Sequence, residues 1–234
     1  MRTLDVLRLH LNRRLTTWGV PVIVLVGLIA IFLVIFGALT RATGAVDVTV
    51  FGGQSGGILQ GLFWYMFASG VVSLVTNYPL ARALGAGRRG YLTGTVAYMA
   101  VASLYLTALC VAASGIERLT GGWFMGVRLF DGPFMGGGSI ALMIALCMLI
   151  FFMAHTLGGA FGAMWLRFGT MGVWAAVLAS GAILAVAFWI IAPDAARILA
   201  GITQWQAMGL LAGVAALCAL LTGVVMRGVV VRNA

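Results

Sequence analysis

Six stretches of this chain carry no Asp, Glu, Lys or Arg: residues 15–40, 48–81, 90–116, 132–166, 168–193 and 198–226. Each exceeds the roughly 20 residues that a helix needs to cross about 30 Å of hydrocarbon. Nothing else in the sequence constrains the fold as strongly. Of the 234 residues, 63% are hydrophobic and 8% are charged, against about 25% charged in a soluble domain. A water-soluble fold of this size lacks the interior to bury so much apolar surface. Lipid leaves two solutions, helices or a closed barrel, because every backbone polar group must be satisfied internally. Barrel strands alternate in polarity, and runs such as Val22-Ile23-Val24-Leu25-Val26 do not. The expectation is an all-α integral membrane protein: one transmembrane domain over residues 1–234, with six spans near 20–40, 58–78, 92–114, 139–163, 171–192 and 206–226. The first apolar run is too long for the core of a cleaved signal, and a retained span is expected.

The charged residues fix the orientation. With the N-terminus inside, the cytoplasmic side receives Arg2, Arg8, Arg13, Arg14, Arg82, Arg88, Arg89, Arg167, Arg227 and Arg232. The outer side receives Arg41, Arg118, Arg128 and Arg197. This is a strong positive-inside bias. Asp47, Glu117, Asp131 and Asp194 also fall outside, and Asp5 alone falls inside. The outer side is then neutral and the inner side carries the chain's whole net charge of +9. A multi-pass protein of the plasma membrane with both termini cytoplasmic is expected. Its basic charge reads as topology and attraction to anionic inner-leaflet lipids, with no nucleic-acid partner. All fourteen basic residues are Arg. Without Lys there is no P-loop, no Schiff base and no Lys general base.

Outside the spans, two segments stand out. In residues 2–18, Leu4, Leu7, Leu11, Leu15 and Trp18 are spaced 3, 4, 4 and 3, one face of an amphipathic helix lying on the inner membrane surface. The plainer alternative is a basic topogenic tail. The loop at 79–90 reads Pro-Leu-Ala-Arg-Ala-Leu-Gly-Ala-Gly-Arg-Arg-Gly. Pro79 is suited to open a short helix and Gly85 or Gly87 to close it through a left-handed cap. That pattern fits either a protruding Arg-bearing helix or an ordinary basic turn.

Chemistry-bearing residues are few. His155 is the one residue of ordinary acid–base type within a span, in the cytoplasmic third of span 4. It is a candidate substrate or proton contact, or else a packing residue bonded to a neighbouring helix. His10, assigned to the surface helix, leaves no pair for haem. Cys110, Cys147 and Cys218 lack metal-ligand spacing and read as small apolar packing residues. No catalytic constellation and no metal site is expected. The outer loop 116–138, with Trp123, Phe124, Phe130 and Phe134 among glycines, reads as an aromatic belt or as an exit cap.

The order aromatic-Pro, short helix, Gly, Arg-Arg, aromatic and Gly-Thr (Tyr78-Pro79, Gly85, Arg88-Arg89, Tyr91, Gly94-Thr95) resembles the cytoplasmic loop of small ABC-2-type ABC transporter permeases of Gram-positive, actinobacterial type. The N-terminal connecting helix and the six spans extend the resemblance, while the second half contributes topology alone. It implies that Pro79, Arg82, Gly85, Arg88 and Arg89 form a coupling element facing a separate ATPase. Two ATPase subunits and a second permease copy would be the partners. ATP and Mg would sit on the ATPase, with no cofactor in this chain. Mostly apolar spans then suit export of amphipathic or lipid-like cargo, drugs and antibiotics included. The competing reading is a membrane scaffold or accessory protein without transport activity. An intramembrane enzyme lacks the acid–base residues it would need.

Because the chain has no Lys, the purified protein free of partners is expected to hydrolyse ATP no faster than a blank. A phosphate-release assay across millimolar ATP checks this.

Overall fold

The computed structural model describes residues 3–43, 54–132, 135–194, 197, 201 and 203–229. Of these, 89% are helical and none lies in a strand. The helices are α1 (Thr3–Leu11), α2 (Val20–Thr43), α3 (Gln54–Val75), α4 (Asn77–Ala83), α5 (Arg88–Leu119), α6 (Ile140–Ile191) and α7 (Gln204–Arg227). Five helical stretches are long and apolar enough to cross a membrane: Leu15–Ala42, Gly56–Ala83, Arg88–Leu119, Ile140–Asp194 and Gln204–Arg227. The protein is a helical membrane protein.

Prolines and glycines set the element boundaries. The amphipathic helix expected over 2–18 ends at Leu11. Residues Leu15–Gly19 form a π-helical turn leading straight into α2. Pro21 supplies the reason: it lacks the N–H that Thr17 C=O would accept, and its ring crowds that carbonyl. The turn widens, and Val20 N–H bonds Leu15 C=O instead. Pro79 acts in the same way on Val75 C=O, and the helix breaks at Thr76, between α3 and α4.

The longest helix contains a discontinuity. At 1.5 Å per residue, the 52 residues of α6 would extend about 78 Å, more than twice the thickness of a hydrocarbon core. Gly169 interrupts them with φ 68° and ψ −164°, a conformation open to glycine and strained for any L side chain. Arg167, just before this break, donates from Nη1 to Val225 C=O near the end of α7 at 3.3 Å.

The centre of the molecule is the crossing of α3 and α6. A methyl group on Gly158 would collide with Phe67 C=O, and one on Gly70 with His155 C=O. At Gly162 the added carbon would come within 2.9 Å of Val71 C=O. Two backbones therefore touch, as small-residue helix packing in lipid requires. Around the crossing lie two apolar clusters. One gathers Leu25, Ile29 and Phe36 of α2 with Leu62, Leu106 and Phe151. The other gathers Val6, Leu74, Tyr78, Tyr91 and Met226. Gly209 and Gly213 of α7 lie at no such contact. A methyl on Gly209 or Gly213 would meet nothing within 4 Å.

Gly158→Ala is expected to destabilise the fold by about 1–3 kcal/mol, because the crossing must open to admit the methyl group. Gly213→Ala, in open space, should leave stability unchanged or raised. Thermal unfolding of the two variants in detergent separates them.

Candidate functional site at the arginine-rich end

One end of the bundle collects α1, α4, the start of α5, the turn before Gly169 and the end of α7. Arg88 Nη1 donates to Arg227 C=O at 2.7 Å. Arg167 reaches Val225 C=O on the same terminus. At the start of α5, Thr3 and Thr93 share a hydroxyl hydrogen bond of 3.1 Å.

The short helix α4 is a closed structural unit. Ala86 N–H bonds Ala81 C=O at 2.9 Å and Gly85 N–H bonds Arg82 C=O at 3.0 Å. These two bonds define a Schellman cap, and Gly85 takes the left-handed φ of +81° that the cap needs. Gly87 instead has extended backbone and is the N-cap of α5. Tyr78, Ala81 and Ala86 are buried and hold the unit down. Tyr78 packs edge-on against Tyr91 at 5.0 Å, and Tyr91 Oη donates to Ser73 C=O. Leu80, Arg82, Leu84 and Gly85 face outward. Arg82 folds back to donate to Ala86 C=O at 3.1 Å. Pro79 lies in the first turn of α4, two residues after its first residue Asn77. Arg89 is exposed beside Arg88.

The apolar stripe read from residues 2–18 faces outward. Leu4 and Leu15 are exposed, and Leu7 and Leu11 are half-buried. Trp18 packs edge-on against Tyr105, which donates from Oη to Trp18 C=O at 3.0 Å. The residues that dock α1 are Val6 and His10, one helical turn apart and both buried. Gly94 makes room for them: a methyl there would come within 2.8 Å of Thr3 C=O and Val6 Cβ.

His10 is the residue whose surroundings the sequence misrepresents. It lies inside, not on the surface. Its ring stacks on Tyr98 at 4.5 Å and 12°, with Asn77 Nδ2 and Thr95 Oγ1 each 3.4 Å from a ring nitrogen. Tyr98 meets His155 edge-on at 5.6 Å. One tyrosine thus contacts both histidines. His155 is fully buried, and neither ring nitrogen has a hydrogen-bond partner among the described residues. In this conformation no ligand reaches it.

At the opposite end Glu117, read from the sequence as an outer charge, is buried. Its carboxylate accepts from Trp123 Nε1 at 2.8 Å, Leu129 N–H at 2.6 Å and Phe130 N–H at 3.2 Å. It thereby ties the aromatic loop to α5. The signal lay in the spacing, since Leu106, Cys110, Ala113 and Glu117 follow one buried face of α5. Phe130 is buried beneath this loop and Phe124 is exposed, while Phe134 lies outside the described residues. Cys110, Cys147 and Cys218 are free thiols in buried positions. Among the described residues, no group of three or more His, Cys, Asp or Glu could hold a metal ion.

No family model matches the chain, and no curated protein or solved structure matches it.

Burial, with a smaller contribution from the Arg13 charge, pulls the His10 pKa down from 6.5 to about 4. Docked His10 is neutral, whereas undocked His10 titrates near 6.5. The undocked state therefore takes up the proton preferentially as pH falls. Docking of α1 should be at full strength above pH 6.5 and weaken progressively toward pH 4. Spin labels on Leu4→Cys and Leu84→Cys, both exposed positions, should show the distance between α1 and α4 broadening over that window. His10→Phe should abolish the pH dependence.

Proposed function

We propose that the chain is the transmembrane subunit of an ABC-2-type exporter, working with a separate ATPase. The observation that carries this reading is α4. It is a Pro-broken, Gly-capped helix held by buried Tyr78 and Ala81, and it presents Leu80, Arg82 and Leu84 outward. A rigid projection of mixed apolar and basic character suits docking into a groove of a partner protein. The neighbouring α1, Arg88, Arg89, Arg167 and Arg227 give that end a basic surround.

In this reading the two arms of α6 on either side of Gly169 are separate spans, which brings the count to six. The arginine-rich end faces the cytoplasm, following the positive-inside rule, and both termini lie there in the plasma membrane. Two copies of the chain form a twelve-helix assembly and recruit two ATPase subunits, which carry ATP and Mg. Closure of the ATPases pushes on α4 and α1 and shifts the spans between access states. Coupling of this kind is reciprocal, so the permease conformation also biases nucleotide binding. The apolar spans favour amphipathic or lipid-like cargo, and His155 becomes a cargo contact only if the helices around it separate.

Arg82 is the residue best placed for the partner. Its guanidinium can pair bidentately with a carboxylate, and it donates to Ala86 C=O just past the end of α4. Arg88 already braces the end of α7, so its replacement mixes structural and binding effects. Arg82→Glu is expected to weaken ATPase association by about 2–5 kcal/mol, the range for breaking a buried interfacial charge pair. Arg89→Gln should act more mildly. Pull-down of an ATPase subunit, from membranes with equal permease levels, measures both. Retention of the partner by Arg82→Glu removes the support for α4 as the coupling element.

A further inference from the structure

A cleft of about 720 Å³ opens between the start of α5 and the end of α7. Arg88, Arg89 and Arg227 line its polar end, and Leu92, Leu220 and Val224 line its apolar side. No carboxylate is among the described residues around it. Leu220 and Val224 are exposed, so the apolar side opens laterally toward surrounding lipid. Two helix termini meet here with opposite polarity. The carbonyls ending α7 are occupied, Val225 C=O by Arg167 and Arg227 C=O by Arg88. At the start of α5 the N-cap Gly87 supplies no side-chain acceptor, and the first α5 N–H groups lack intrahelical partners. The negative helix end is thus neutralised by protein, while the positive end adds to three arginines.

We propose that this cleft binds an anionic phospholipid, with its phosphate among Arg88, Arg89 and Arg227 and an acyl chain along Leu92, Leu220 and Val224. Charge complementarity selects an anion, and the apolar side continuous with lipid selects one that carries hydrocarbon. Basic pockets between membrane helices at the cytoplasmic surface hold such headgroups. The site rests on the protein being embedded in a membrane and not on the exporter reading.

Gly223 lines the same cleft, and a carbon added there meets nothing within 4 Å. Gly223→Leu therefore starts its side chain in open space, takes up room in the cleft and leaves the charge unchanged. The test is native mass spectrometry of the full chain in detergent, titrated with dioleoyl phosphatidylglycerol or dioleoyl phosphatidylcholine. Wild type should retain phosphatidylglycerol at least about tenfold more strongly, because each arginine near the headgroup adds to the attraction of an anionic lipid. Gly223→Leu and the Arg89→Gln/Arg227→Gln double variant should lose that preference, and Arg89→Lys/Arg227→Lys should keep most of it. Arg8→Gln/Arg13→Gln, which removes two charges from the same end but outside the cleft, should keep it fully. Equal retention of the two lipids by wild type overturns the proposal. So does an unchanged preference in Gly223→Leu, or equal loss in the Arg8/Arg13 control. Displacement of the lipid by millimolar inorganic phosphate would make the site one for the free anion and overturn it as well. ATPase pull-down is independent of all these outcomes, so failure of the exporter reading is seen separately.

Discussion

Apolar helices gain nothing by leaving lipid for each other, because the tails are as apolar as the side chains. What holds them together is close contact, and the crossing of α3 and α6 supplies the closest. Gly70, Gly158 and Gly162 let the two backbones meet with no side chain between them. The rest is arranged around that contact. α5 and α7 also pack on α6, and the apolar residues of α2 join the cluster containing Leu62 of α3. The α4 unit hangs from the far end of α3, so its position is inherited from the crossing.

Polar side chains in this apolar body are satisfied mostly within their own helix. Thr40, Ser73, Ser103, Thr107 and Thr222 each donate to the carbonyl four residues earlier. That economy leaves them without a claim on neighbouring helices. Among the groups that depart from it, three tie down a segment. Tyr91 crosses to Ser73 C=O, Glu117 gathers the loop after α5, and Thr17 donates to His10 C=O at 2.7 Å. Each of these three fixes a segment that apolar packing alone would leave loosely placed.

The elements were legible wherever a breaker or a charge marks a boundary. Pro79 and Gly85 announce α4, and the charge-free windows announce where the long apolar helices lie, with ends displaced by several residues. Two things were hidden. Helical periodicity shows which residues share a face and is silent on whether that face meets protein or lipid. The leucine stripe of residues 4–15 was therefore found, but Val6 and His10, which dock α1, were not. The windows 132–166 and 168–193 were read as two helices parted near Arg167; the structure has two helical arms, and their break falls at Gly169, two residues past that arginine. Arg167 can remain helical because the end of α7 offers it a carbonyl, a partner more than fifty residues away in sequence.

The docking of α1 on α5 also sets an order of assembly. Its partners Gly94, Thr95 and Tyr98 leave the ribosome some ninety residues after Val6 and His10, a delay of several seconds at ordinary synthesis rates. Through that interval α1 has no protein surface to cover its inward face. Leu4 already points the other way and Leu7 and Leu11 are only half-buried, so the nascent helix can rest on the bilayer by one side while the side carrying Val6 and His10 waits for α5. The first segment to be made is thus among the last to be locked, and it closes over Tyr98 only when the helices beneath have come together.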